Sequence, residues 1–446
     1  MTRRVVISGL GPVSGCGLGI EDNWQRICNG ASAIDRISAF DPGGFECRIA
    51  AQVNEFKVRD FVPKSYRKAV KVMSRDIELA VAAADIAARD AKLSTPGTDP
   101  DIEPSYDSGR IGCHIGAGLI AADIHELTMA MAESRMTAGP ESGRFDMHQW
   151  GNGGMEHLTP LWLLKYLPNM LACHVTIIHD THGPSNTITC GEASSGLSIG
   201  ESLRVIQRDK ADICFCGGAE SKLNPIALLR QEFTARLTTK GNDNPAAAIR
   251  PFDHGATGMA VGEGGGIILL EAFETFTRRT GDNGNHPYAE VLGFGAAQTV
   301  YREARNRQPD PQGRAIIAAI QAAMREAAIT ADTIDLVVPL GSAIPKWDRA
   351  ELAALKVVFG DRLKDLPVTG IKAVTGNCGA GAGGLELAIA AKALLEQTVP
   401  AIINRDHPLE GLAAGSPQPQ SADLTHALVY STGYGGQNVA MVLKRM

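Results

Sequence analysis

An α/β fold built from two similar halves is predicted for this chain, on two observations. Strand-like apolar runs alternate with helical ones along its whole length. One strand, helix and strand pattern also occurs twice: residues 110–116, 197–207 and 212–216 are echoed by residues 336–338, 384–395 and 427–430. Each copy carries a Cys-Gly pair ahead of its helix, Cys190-Gly191 and Cys378-Gly379.

Taken in order, Val5-Val6-Ile7 opens the first buried strand. The charged start Met1-Thr2-Arg3-Arg4 resembles that of a signal peptide, but Ser8, Gly9 and Gly11 interrupt the apolar stretch too early for one. Helical patterns follow at residues 75–91, 195–208, 315–328, 349–358 and 384–395. Turn-rich stretches at 94–109, 280–287 and 407–423 read as surface loops. Residues 133–160 mix Gly, Met, His and Trp without periodicity and read as a long irregular insertion, a kind of segment that more often serves function or an interface than neither.

Composition narrows the function classes. At 446 residues the chain has room for two or three average domains or for one large body made of two halves. A net charge of −6 argues against a nucleic-acid binder. The best candidate for a membrane span, residues 315–324, is bounded by Arg314 and Arg325 and falls short of the roughly 18 apolar residues required. Nine cysteines without a Cys-x-x-Cys pair fit reduced thiols of a cytoplasmic protein, and Cys214 and Cys216, two apart on a strand, should face the same side. His174, His179, Asp180 and His182 are clustered, but without the ligand spacing of a metal site, so neither metal nor cofactor is expected.

The chemistry-bearing motifs are collinear. Gly183-Pro184-Ser185 leads through a strand to Thr189-Cys190-Gly191-Glu192-Ala193-Ser194-Ser195-Gly196, and a later strand ends in Gly217-Gly218-Ala219-Glu220. Further on come the run from Leu340 to Glu351, which includes Pro345, Asp348 and Glu351, then Lys372-Ala373-Val374-Thr375-Gly376-Asn377, and finally Gly433-Tyr434-Gly435-Gly436-Gln437-Asn438. This series resembles the β-ketoacyl synthases over nearly the whole chain. In that family a cysteine nucleophile follows the Gly-Pro-Ser triplet, and two histidines lie in His-Gly-Thr-x-x-Pro-x-x-Asp-x-x-Glu and Lys-x-x-Thr-Gly-His runs. Counting nine residues on from Gly183, or twenty-eight back from Glu220, puts Glu192 at the nucleophile position. Leu340 and Asn377 stand where the histidines would be.

The resemblance implies a thiolase-like fold in duplicated α/β/α/β/α layers, with an N-terminal half over residues 1–255, a capping insertion at 133–160 and a C-terminal half over 256–446. It further implies a degenerate site at Glu192, Leu340 and Asn377, with Lys372 and Glu386 retained. Lys372 is expected to pair with Glu386, Asp348 or Glu351. Glu192 either caps the following helix or mimics a bound anion, and Asn377 is a helix cap or an amide donor. Cys190 becomes the nucleophile only if two compensating indels shift the alignment. Met259 replaces the phenylalanine of a family motif, Tyr434 replaces a phenylalanine that gates the acyl chain, and Trp162 falls where bulky residues line the tunnel near the subunit interface. Lys64, Arg67, Lys68 and Lys71 form a basic run where synthases receive an acidic acyl carrier protein. The expected function is that of a catalytically silent subunit similar to chain-length factors, which pair with an active ketosynthase and usually carry glutamine at the nucleophile position; a homodimer is the other assembly. A divergent acyltransferase using Cys190 or Glu192, or a malonyl decarboxylase, is the alternative.

Overall fold

The structure, a computed structural model, describes residues 3–281, 286–300 and 308–446. Its core is one ten-stranded mixed sheet system. Nine strands form the main path: β1 (Val5–Ser14), β2 (Ile111–Gly116), β3 (Ser185–Ile188), β4 (Ile213–Glu220), β5 (Gly264–Ala272), β6 (Ala289–Gln298), β7 (Leu336–Val338), β8 (His426–Thr432) and β9 (Gln437–Lys444). Their order is β7-β8-β9-β6-β1-β5-β4-β2-β3. The repeat seen in the sequence is visible in this order. β2 runs parallel to β4 and β7 parallel to β8, and each pair then continues into two antiparallel neighbours.

Five layers result. The helices α1 (Arg75–Asp90) and α2 (Met170–His179) cover one face of the first half-sheet. Two central helices, α3 (Ser194–Gln207) and α4 (Ala382–Glu396), lie between the half-sheets, and α5 (Arg314–Glu326) and α6 (Pro345–Phe359) cover the far side. The inner strands β1, β2, β4 and β5 are buried on both faces because both faces are covered, whereas β3 at the sheet's edge is not. β4 shows it residue by residue: Cys214 and Cys216 point into the central layer, whereas Ile213 and Phe215 point towards α1 and α2. The two thiols therefore share a side, as their spacing predicts, and all nine cysteines are free. Close packing of α1 on β1 explains Gly11, where a Cβ would lie 2.0 Å from the Ala83 carbonyl oxygen.

The five predicted helices are all present. The fourth begins earlier than predicted, at Pro345, because proline at the first helical position costs no hydrogen bond. Residues 94–109 and 407–423 are loops apart from a 3-10 turn starting at Ser108 and the two-residue strand Gln420–Ser421. In the predicted loop 280–287, the helix Phe273–Thr280 reaches Thr280 and residues 282–285 lie outside the described residues. The insertion 133–160 is more regular than its composition predicts. Helix Ile124–Glu133 runs into it, an Arg135–Phe145 bridge closes a loop, and helix Met147–Asn152 follows. Six residues are too few to reveal a helical period; that helix is set by its cap, the Asp146 carboxylate accepting the His148 N–H at 2.8 Å. Among the described residues no helix is long and apolar enough to cross a membrane.

Candidate active site

The central helices begin in two matching turns. Gly191–Ala193 precedes α3 and Gly379–Gly381 precedes α4, with Gly191 and Gly379 both at positive φ (59° and 54°). The turns touch through the Ser195 hydroxyl, which donates to the Ala380 carbonyl. The Glu220 carboxylate accepts the Ala380 N–H at 2.6 Å and also pairs with Lys222. These contacts bring the Gly-Gly-Ala-Glu strand end and both Cys-Gly turns to one place.

Glu192 sits there, 2% exposed. It does not cap α3, whose N-terminus has no side-chain cap. Its carboxylate instead pairs with the Arg236 guanidinium and accepts the Asn377 Nδ2 amide at 3.3 Å. Burial pushes the Glu192 carboxyl up, but the charge and hydrogen bond of Arg236, with Lys222 close by, outweigh it and hold the group at about 2. The α3 dipole favours the same anion by roughly 0.3–1 kcal/mol. Asn377 proves to be a donor rather than a helix cap: the turn Gly379–Gly381 and α4 start at Cys378 and Gly381 without a side-chain cap, the Asn377 Oδ1 accepts the Gly379 N–H at 2.9 Å ahead of them, and Nδ2 reaches Glu192 and lies 3.1 Å from the Met259 sulfur.

Arg236 carries the site, and nothing in the sequence marks it out. Asn224 caps the helix Pro225–Phe233, Ala235 at φ 53° turns the chain, and residues 236–238 then pair with Met259, whose N–H donates to the Arg236 carbonyl at 2.9 Å. Arg236 is thereby fixed beside the replaced motif ending in Met259. Its guanidinium also lies 5.1 Å from the centre of the Tyr434 ring, and Tyr434 stacks on Trp347 at 5.9 Å. Tyr434 lines both the cavity at Glu192 and a second groove formed with Trp347, and so stands between them.

The other predicted residues separate into groups. Lys372 pairs with Glu386, which also accepts the Ser431 hydroxyl at 2.8 Å, so of the three acids left open only Glu386 takes that lysine. Asp348 accepts the Phe252 N–H at 2.7 Å and Glu351 the Gly341 N–H at 3.2 Å; burial raises both carboxyls, and in Glu351 the neighbouring Asp348 adds to the effect. Leu340 is buried and brings only hydrocarbon. Cys190 is half-buried, burial raises its thiol, and it is not among the residues lining the cavity. Trp162 packs on Tyr166 at 5.6 Å and does not line that cavity either; its neighbours Leu161 and Leu163 are exposed. Lys64, Arg67, Lys68 and Lys71 are exposed along the 3-10 helix Lys64–Val72 and make no ion pairs among the described residues. The histidines take separate partners: His174 the Tyr66 hydroxyl at 2.8 Å, His179 the Thr95 hydroxyl at 2.8 Å, and His182 the Asp180 carboxylate at 3.0 Å.

Chemically, the site offers an ionised carboxylate already neutralised by a guanidinium, and an amide NH2 that donates to both Glu192 and Met259. Neither a thiolate nor an imidazole stands at the positions aligned with the family's nucleophile and histidines.

Comparison with known proteins agrees with this architecture. The model of the "Beta-ketoacyl synthase, N-terminal domain" matches residues 2–275, and that of the C-terminal domain matches residues 288–406. The 3-oxoacyl-[acyl-carrier-protein] synthase 2 of Staphylococcus aureus (strain N315) is 28% identical over 445 residues, covering 99% of this chain and 98% of that protein. The synthase of the same name from Vibrio harveyi is 30% identical over 448 residues, covering 100% and 99%. Among solved structures, the ishigamide ketosynthase/chain length factor superposes with a TM-score of 0.82 at 24% identity, covering all of both chains. A ketosynthase in complex with its chain length factor from Xenorhabdus doucetiae gives 0.74 at 19% identity, covering 100% of this chain and 98% of that one. With both domain models matched across most of its length and the family's motifs brought together around the turns at Glu192 and Asn377, this chain belongs to the β-ketoacyl synthase family.

Proposed function

We propose that this chain is a catalytically silent β-ketoacyl synthase-like subunit of the chain-length-factor type, pairing with an active ketosynthase and serving carrier-bound chains in fatty acid or polyketide biosynthesis. The observation that carries the reading is the Glu192–Arg236 ion pair, buried where the condensing cysteine would stand. Condensation needs a nucleophile that accepts the acyl chain and donors that stabilise the enolate formed on decarboxylation. Glu192 is held ionised and neutralised, Leu340 has no donor, and the Asn377 amide is occupied. Cys190 is a poor substitute, since a thiol raised by burial is protonated at neutral pH. The missing donors weigh equally against decarboxylation.

The surface supports a partner. β3 is an edge strand with nothing paired along its outer side among the described residues, and edges of this kind are normally protected. Large apolar residues are exposed in the surrounding segments, including Leu119, Met147, Leu161, Leu163 and Ile177. We assign this face, with Trp162 on it, to the subunit contact, and the basic run Lys64 to Lys71 to the carrier protein. The solved relatives include a ketosynthase bound to its acyl carrier protein and a ketosynthase in complex with its chain length factor.

Acyl transfer tests the reading directly. The purified chain is incubated with an acyl carrier thioester and its intact mass is measured. An unchanged mass is expected, and an acyl adduct on Glu192 or Cys190 would establish the acyltransferase alternative instead.

A further inference from the structure

Asp76 is a buried carboxylate without a counter-ion. It stands in the first turn of α1, 4% exposed, and its Oδ1 accepts the Ser221 N–H at 3.1 Å. Among the described residues no other residue hydrogen-bonds to it or ion-pairs with it. Lys222 acts on it from nearby but is paired with Glu220. Burial, and then the charge of Glu220, push the Asp76 carboxyl up to about 7. The α1 dipole favours an anion there, but it does not replace a counter-ion for a buried charge. Asp76 lines a cavity of about 240 Å³ that shares no lining residue with the one at Glu192. It lies between the start of α1, the segment that follows β2, Tyr166 and the helix cap Asn224. Both cations of its lining are committed, Arg75 to Glu263 and Glu78, and Lys165 to Glu126. Its second carboxylate, Asp123, is exposed and makes no ion pair among the described residues; its Oδ1 caps the helix Ile124–Glu133. The charge left uncommitted at this cavity is therefore negative. Among the described residues no three metal-ligating side chains come together, so the lining does not suit a metal ion.

We propose that this cavity binds a small aliphatic ammonium ion, with its N–H donors on the Asp76 carboxylate, the exposed Asp123 adding to the attraction, and its chain against Met73, Ala121 and Leu223. An ammonium supplies both things that Asp76 lacks, a positive charge and donors directed at a carboxylate oxygen. Once bound, it would hold the carboxyl in its ionised form. The proposal rests on this cavity alone and does not require the chain to be silent.

Calorimetric titration of the purified protein with butylammonium, 1-butanol and potassium ions tests it, in sodium phosphate buffer at about pH 8, where Asp76 is mostly ionised. Butylammonium should bind saturably, and 1-butanol at least about tenfold more weakly, the effect of losing one charge-assisted hydrogen bond. Potassium, with neither chain nor donors, should also be weaker. Asp76→Asn keeps an acceptor for the Ser221 N–H and should weaken butylammonium by at least about tenfold. Its melting temperature should stay level or rise, because the substitution removes an uncompensated buried charge. Asp123→Asn retains a capping side chain and should weaken butylammonium by about threefold without altering the fold. No saturable heat, equal affinity for 1-butanol, or unchanged affinity in Asp76→Asn would overturn the proposal. A lower melting temperature in Asp76→Asn would show that the carboxylate is already satisfied within the chain and would overturn it as well, and potassium as tight as butylammonium would overturn the assigned class. Failure here leaves the silent-subunit reading standing, and condensation activity in a protein that binds butylammonium would reject only that reading.

Discussion

Glu192 and Arg236 lie 44 residues apart and are each almost fully buried, so neither charge is tolerable without the other. Removing one member of such a pair typically costs about 3–5 kcal/mol, whereas removing both is far milder. Arg236→Met should therefore destabilise the chain by roughly that amount, and the double variant Glu192→Gln/Arg236→Met should recover most of the loss in denaturant unfolding. The pair also sets a pH dependence. Folding lowers the Glu192 carboxyl from 4.5 to about 2, so its stabilisation is complete above about pH 4.5 and is lost as pH falls towards 2. Run as a pH series, the same cycle should show the gap between wild type and Glu192→Gln narrowing below pH 4.5; a gap that stays constant would mean that Glu192 is not held by Arg236.

At the scale of elements, the basic 3-10 helix Lys64–Val72 presents four cations to solvent that make no ion pair among the described residues. Steering of an acidic carrier protein predicts that Arg67→Glu/Lys68→Glu weakens carrier binding by roughly tenfold and flattens its salt dependence. Surface plasmon resonance over a salt series measures both, and an unchanged affinity would leave this helix a merely solvated face. The elements differ in how far the sequence reveals them. The central helices and the turns before them were legible because Gly191, Gly379, Glu220 and Lys372 occupy fixed spacings within collinear motifs. The helix Met147–Asn152 was not, because one turn and a half leaves no period. Arg236 was hidden for a different reason: it reaches Glu192 through the positive-φ turn at Ala235 and pairing with Met259, a tertiary path with no local pattern. The requirement that a buried glutamate have a cation was foreseeable from Glu192; which arginine supplies it was not.

In the molecule as a whole, the first half contributes five strands to the main path and the second four, and the first half ends in the exposed edge β3 beside exposed apolar side chains of α2 and the insertion. An obligate pair is expected to bury more than roughly 2,000 Å² there. Ile177, 60% exposed on α2, faces away from the core, so Ile177→Glu should convert the assembly to monomers in sedimentation velocity while leaving the fold intact. Unchanged sedimentation would move the contact elsewhere. The measurement that tests the central claim most directly is condensation itself. The purified chain is supplied with malonyl and acyl carrier thioesters, alone and with Glu192 restored to cysteine, and ketoacyl products are quantified by mass spectrometry. The account predicts no product above the no-enzyme control in either case, because Leu340 and the occupied Asn377 amide supply no enolate stabilisation. Ketoacyl product from the unmodified chain would contradict it.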